Sequence, residues 1–129
     1  MTTLPLILIV DDDERFREIL SVKLQAEGFK VQTVESGEHC LAVVKDLKPG
    51  LILMDMKMPG MNGAEALLKL QADPETKNIK VIFLSSFGDP QPDRQEVNNR
   101  FSQELDALAY FKKVDDLDSL VSKIKAIVQ

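Results

Sequence analysis

Three short runs of uninterrupted apolar residues, Leu6–Val10, Leu51–Met54 and Val81–Leu84, most constrain the fold this chain can adopt. A strand with one wet face alternates polar and apolar side chains, so a run that is apolar at every position reads as a strand covered on both sides. Lys30–Val34, which does alternate, and Ala109–Lys112 supply two further strands. Between the strands the periodicity becomes helical. Phe16, Ile19, Leu20 and Leu24 share one helical face, with Gly28 as its stop. Cys40, Leu41, Val44 and Leu47 share another, opened by Ser36-Gly37 and ended at Pro49-Gly50. A shorter helix is expected from Ala64 towards Gln71, with Asn62 as cap and Asp73-Pro74 as stop. Val97, Phe101, Leu105 and Leu108 keep helical spacing, which predicts a helix over about residues 93–106. Leu117, Leu120, Val121, Ile124, Ile127 and Val128 form the cleanest stripe, with Asp115 or Asp116 as its cap. Five strands alternating with five helices call for one α/β domain over residues 1–129, a doubly wound parallel sheet with right-handed crossovers.

Such a sheet gathers the carboxyl ends of its strands along one edge, where open α/β sheets bind their ligands. The chain delivers Asp11 and Asp12 after the first strand, Asp55 after the third, Ser85 after the fourth and Lys113 after the fifth. Three carboxylates in one crevice repel each other until a proton or a cation intervenes. An all-oxygen set without His or Cys suits a hard ion, and Mg²⁺ is the natural candidate. Lys113 adds a positive charge and Ser85 a hydroxyl donor, so an anion could sit beside the metal. A phosphoryl group fits best, because its transfer is catalysed mainly by positioning and charge neutralisation. Asp55, central in the set, could itself attack phosphorus and form an aspartyl phosphate.

Composition removes other classes. The formal net charge of -5 lacks the basic footprint of a nucleic-acid binder. Cys40 is the only cysteine, which excludes an internal disulfide and fits a reducing compartment. The longest apolar run is far too short to span a bilayer and no signal-peptide pattern precedes it, so a cytoplasmic location is expected. His39 has no second His or Cys at ligand spacing and reads as a surface helix residue, and Met54, Met56, Met58 and Met61 read as core and loop filler.

The segments Ile7–Asp13, Met54–Gly63 (Met-Asp-Met-Lys-Met-Pro-Gly-Met-Asn-Gly), Val81–Ser85 and Tyr110–Lys113 together resemble the signature set of two-component response-regulator receiver domains. The resemblance covers essentially the whole chain. It implies a flavodoxin-like sheet of strand order 2-1-3-4-5. It further implies that Asp55 accepts a phosphoryl group from a histidine kinase or phosphotransfer protein. Asp12, Asp55 and the Lys57 backbone carbonyl would hold Mg²⁺, with Asp11 acting largely through water. Ser85 and Lys113 would each contact a phosphoryl oxygen. Tyr110 would be the aromatic whose rotamer follows Ser85, remodelling a face made by the fourth helix, fifth strand and fifth helix. On this reading the domain is no enzyme beyond its own phosphorylation and hydrolysis. Its output would pass to a downstream protein or to an output domain outside this chain, with no direct contact to nucleic acid or membrane.

The chain departs from the family pattern in places. Val114 stands where the lysine is usually followed by a proline in a cis bond, and a cis bond without proline costs about 3 kcal/mol. Lys113 is therefore expected to act through a trans bond or a strained one, and a separation beyond about 5 Å between its ammonium and Asp55 would count against its role. Ser86 replaces a small residue, while Lys57 and Phe87 at the rim predict slow loss of the phosphoryl group. The 28 positions from Ser85 to Lys113 exceed the family norm, placing the fourth helix in question. The alternative function is a degenerate receiver that binds partners without phosphorylation. A phosphatase using Asp11 in Asp11-Asp12-Asp13 would leave the Asp55 loop unexplained. A flavin binder would need a glycine- and hydroxyl-rich loop where this chain carries acids.

Overall fold

The computed structural model describes residues 4–85, 109–113 and 116–128. Along them run β1 (Leu6–Val10), α1 (Glu14–Ala26), β2 (Lys30–Val34), α2 (Gly37–Leu47), β3 (Leu51–Asp55), α3 (Gly63–Ala72), β4 (Lys80–Ser85), β5 (Ala109–Lys112) and a C-terminal helix (Leu117–Val128). All strand pairings are parallel, and the order is β2-β1-β3-β4-β5. The expected five-stranded sheet is therefore present. Four helices lie among the described residues; the helix expected over 93–106 falls outside them.

The apolar runs behave as their pattern requires. Alternate residues of each central strand enter two separate cores, because successive side chains point to opposite faces. Leu8, Val10, Ile52, Met54, Val81 and Phe83 pack beneath α2 and α3 with Cys40, Val44, Ala66, Leu67 and Leu70. Ile7, Ile9, Leu51, Leu53, Ile82 and Leu84 pack beneath α1 and the C-terminal helix with Leu20, Leu24, Leu120, Val121 and Ile124. β2 is an edge strand, and accordingly only Val34 of its five residues is buried. One expected core residue is not inside. Ile19 is 49% exposed, because the stripe through Phe16, Leu20 and Leu24 turns it away from the sheet.

Caps fall where the residue types put them. Asp13 accepts from the Arg15 and Phe16 amides at the start of α1, and Ser36 accepts from His39 at the start of α2. Asn62 and Glu65 form a reciprocal capping box on α3. Gly63 is tightly enclosed by the site itself: a Cβ built there would lie 2.5 Å from the Asp55 carbonyl oxygen and 3.1 Å from the Phe83 ring. Gly63→Ala is expected to cost about 2 kcal/mol, because backbone on one side and a buried ring on the other leave nothing to yield. A urea midpoint unchanged from wild type would show that the loop can move aside.

Candidate functional site

The register of the sheet determines which side chains meet. Val10 pairs with Met54, Asp55 with Leu84, and Ser85 with Lys112, so Asp11, Asp55, Ser85 and Lys113 stand at one level of the carboxyl edge. Backbone hydrogen bonds carry the ladder past the strand ends: Asp11 N–H to the Val34 carbonyl at 3.1 Å, Met56 N–H to Leu84 at 3.1 Å, and Lys113 N–H to Ser85 at 2.8 Å. The functional residues are thus extensions of the strands more than loop residues.

The loop after Asp55 is tied at both ends. Gly63 N–H bonds the Met56 carbonyl at 3.0 Å, and the Glu38 carboxylate at the start of α2 accepts from Met61 N–H at 2.9 Å. Between them Gly60 adopts a φ of +76°, a conformation that glycine takes without strain. On the other side of the crevice, the Arg17 guanidinium donates to the Asp11 carbonyl at 2.6 Å and fixes the first turn of α1 against the end of β1.

Asp11, Asp12 and Asp55 offer carboxylate oxygens that all lie within 4.8 Å of one another. Asp11 and Asp55 are buried and Asp12 is exposed, so the trio faces outward through Asp12. The Lys113 ammonium lies 2.6 Å from Asp11 Oδ2 and 3.6 Å from Asp55 Oδ2. The second distance is inside the limit set by its expected role. Asp11 Oδ1 accepts from Asp13 N–H at 2.9 Å, and Asp55 Oδ1 from Lys57 N–H at 3.4 Å. One ammonium does not balance three carboxylates. Burial, then the charge of Asp11, push the Asp55 carboxyl up to about 7, against the pull of Lys113. For Lys113, burial disfavours the charge, but the hydrogen bond and charge of Asp11, helped by Asp55 and Asp13, outweigh it and leave the ammonium above its usual value. A compact all-carboxylate set with residual negative charge fits a hard divalent cation such as Mg²⁺.

Ser85 is buried at the end of β4, one residue beyond Leu84, the partner of Asp55 across the β3–β4 pairing. Tyr110 is half-buried and stacks on Phe83, with ring centroids 5.6 Å apart. Its hydroxyl is buried with no hydrogen-bond partner among the described residues, and burial raises its pKa to about 12. Ser86, Phe87 and Val114 lie outside the described residues. His39 is exposed and bonds Glu35 at 3.0 Å, which leaves it away from the carboxylate trio. Two contacts had no signal in the sequence pattern: the Glu38 clasp on Met61, and the Phe16 ring, whose centroid lies 4.8 Å from the Lys113 ammonium. Glu38 reads as one more helix-start acid and Phe16 as one more core position, because neither partner is near in sequence.

A family model described as response regulator receiver domain matches residues 7–125. The chain is 34% identical over 119 residues to sporulation initiation phosphotransferase F of Bacillus subtilis, covering 92% of this chain and 90% of that protein. It is also 34% identical over 123 residues to the phosphate regulon transcriptional regulatory protein PhoB of Pseudomonas aeruginosa, covering 95% of this chain. There it spans only 51% of the relative's length. Among solved structures, the N-terminal domain of a response regulator receiver protein from Methanoculleus marisnigri superposes with a TM-score of 0.74 at 29% identity, covering 97% of each chain.

The raised Asp55 pKa makes stability depend on pH in a definite direction. The unfolded carboxyl ionises near 3.8, whereas the folded one keeps its proton to about 7. The folded state binds the extra proton in between, so this group's contribution falls as pH rises from about 4 to 7. Compared in EDTA by urea unfolding, Asp55→Asn should match wild type near pH 4 and exceed it by on the order of 2 kcal/mol above pH 7. Mg²⁺ should narrow that gap. A gap independent of both pH and Mg²⁺ would contradict the electrostatic account.

Proposed function

The chain belongs to the response regulator receiver domain family of two-component systems, and from that membership we propose that Asp55 is a Mg²⁺-dependent phosphoacceptor. The observation that carries the reading is the buried Asp55 carboxylate, grouped with Asp11 and Asp12 and faced by the Lys113 ammonium at 3.6 Å. Asp12, Asp55 and the Lys57 carbonyl would hold the ion, and Asp11 would act largely through water. When bound, Mg²⁺ supplies positive charge that lets the acceptor stay ionised and offsets charge on the transferring group.

The residues divide the remaining work. An Asp55 carboxylate oxygen attacks phosphorus as the bond from phosphorus to the donor, a phosphohistidine nitrogen of a kinase or phosphotransfer protein, breaks. Lys113 offsets charge on one phosphoryl oxygen and Ser85 donates its hydroxyl to another. The new charge at the end of β3 and the engagement of Ser85 bias Tyr110, whose ring stacks on Phe83 of β4. That face would comprise β5, the C-terminal helix and residues of the 93–106 segment, and it would meet a downstream protein or an output domain. Asp55 turns over only its own phosphoryl group, so the domain is a signalling acceptor more than an enzyme. No helix among the described residues is long and apolar enough to cross a membrane.

Incubation with Mg²⁺ and acetyl phosphate should add one phosphoryl group to wild type by intact mass, and none to Asp55→Asn or to wild type in EDTA. A folded wild type with no adduct would point instead to a receiver that binds partners without phosphorylation. The adduct should persist for minutes or longer, since Lys57 lies two positions beyond Asp55 and Phe87 two beyond Ser85. Decay within seconds would refute that expectation.

A further inference from the structure

We infer that Phe16 is a positioning residue that holds the Lys113 ammonium over its ring in the orientation the phosphoacceptor needs. The inference rests on the phosphoacceptor reading of Asp55. The ammonium lies 4.8 Å from the ring centroid, inside the range at which an aromatic face attracts a cation. The Lys113 side chain is only 12% exposed, so the attraction acts on a cation stripped of most of its water. Such contacts are worth more when desolvated.

The ring is itself fixed. Phe16 N–H donates to the Asp13 cap at 3.2 Å, and Arg17 bonds the Asp11 carbonyl, so the first turn of α1 is a platform anchored to the acidic loop. The backbone of Lys113 is held on one side by its bond to Ser85. The next residue in the sequence is a valine, which lacks the ring that fixes a proline's φ. The long, flexible lysine stem then depends on what its head group touches.

Among the described residues those contacts are Asp11, Asp55 and Phe16. The two carboxylates are the groups whose charge balance changes when a cation and a phosphoryl group arrive. The ring is uncharged and stays as it was. Among these described contacts it is therefore the one able to stay beneath the ammonium through the whole cycle, and it does so without competing for the phosphoryl oxygen.

Phe16→Leu keeps the apolar bulk and removes the π face, while Phe16→Tyr keeps both. With acetyl phosphate and Mg²⁺, Phe16→Leu should slow adduct formation at Asp55 about three- to tenfold, and Phe16→Tyr should restore the wild-type rate to within about twofold. Mg²⁺ affinity, read separately by calorimetry, should be the same for all three. In a Lys113→Ala background, Phe16→Leu should produce no further slowing. The Lys113 ε-methylene protons should carry an upfield ring-current shift in wild type that Phe16→Leu abolishes. An unchanged rate for Phe16→Leu, an equal slowing in the Lys113→Ala background, or unshifted ε-methylene protons would each overturn the inference. If wild type forms no adduct, the phosphoacceptor reading falls and the positioning role falls with it. If wild type forms the adduct and Phe16→Leu matches it, only the positioning role is lost.

Discussion

The structure depends on an unrelieved repulsion. Sheet register brings Asp11, Asp12 and Asp55 to within 4.8 Å of one another, and the hydrophobic cores on both faces of the sheet keep the strands from separating. Burial of Asp11 and Asp55 lowers the local dielectric and strengthens the repulsion. Lys113 answers part of it. The remainder appears as an Asp55 carboxyl that keeps its proton to about 7. A fold that holds charge in this unfavourable state binds a cation more tightly than the same carboxylates would on a flexible loop, because their convergence has already been enforced by packing elsewhere.

Holding that state requires a rigid frame around a short loop. The frame consists of backbone hydrogen bonds that continue the β-ladders beyond the last strand residues, so the site residues inherit the rigidity of the sheet. Asp55 counts as the final residue of β3, not the first of a turn. Its following loop is closed by the Gly63 amide on Met56 and clasped by Glu38 from a different helix. Gly63 also lets the loop backbone approach Phe83, whose ring stacks with Tyr110. One ring therefore packs against both the acceptor loop and the aromatic of β5. In a close-packed core, movement at either end is felt by the other.

The legible parts of the chain were those whose cause is local or periodic. Leu6–Val10, Lys30–Val34 and Ala109–Lys112 are strands with the bounds their patterns indicate, since burial on one or two faces is written directly as alternation or its absence. The meeting of Asp11, Asp12, Asp55 and Lys113 was legible from the pattern of strands and helices, because a parallel sheet leaves the strand ends nowhere else to go. Strand order came from resemblance to receiver domains, for periodicity does not encode which strand lies beside which. Ile19 was misplaced because four apolar residues at positions 16, 19, 20 and 24 fit a helical stripe wider than the face the sheet covers. Glu38 and Phe16 were missed for a different reason. Their partners, Met61 and Lys113, are distant in sequence, and a contact of that kind leaves no periodic trace.

The two distances from Lys113 carry the last step of the argument. The ammonium sits at 2.6 Å from Asp11 and 3.6 Å from Asp55, so it serves chiefly as the counter-ion of the carboxylate that is not the proposed acceptor. Asp55 is thereby left with a long backbone bond at 3.4 Å, a side-chain hydrogen bond with Asp12 and the more distant share of a lysine, partners loose enough for a nucleophile whose oxygen must form a bond. A phosphoryl group at Asp55 would add negative charge on that side and draw the ammonium across by about 1 Å, a small displacement for a four-carbon stem. The platform from which it swings has to stay still, and Asp11, itself a carboxylate whose charge balance shifts, is a poor one. In this chain, where Val114 takes the place of proline beside the lysine, a fixed neutral surface beneath the ammonium is the simplest way to keep that displacement directed at the acceptor.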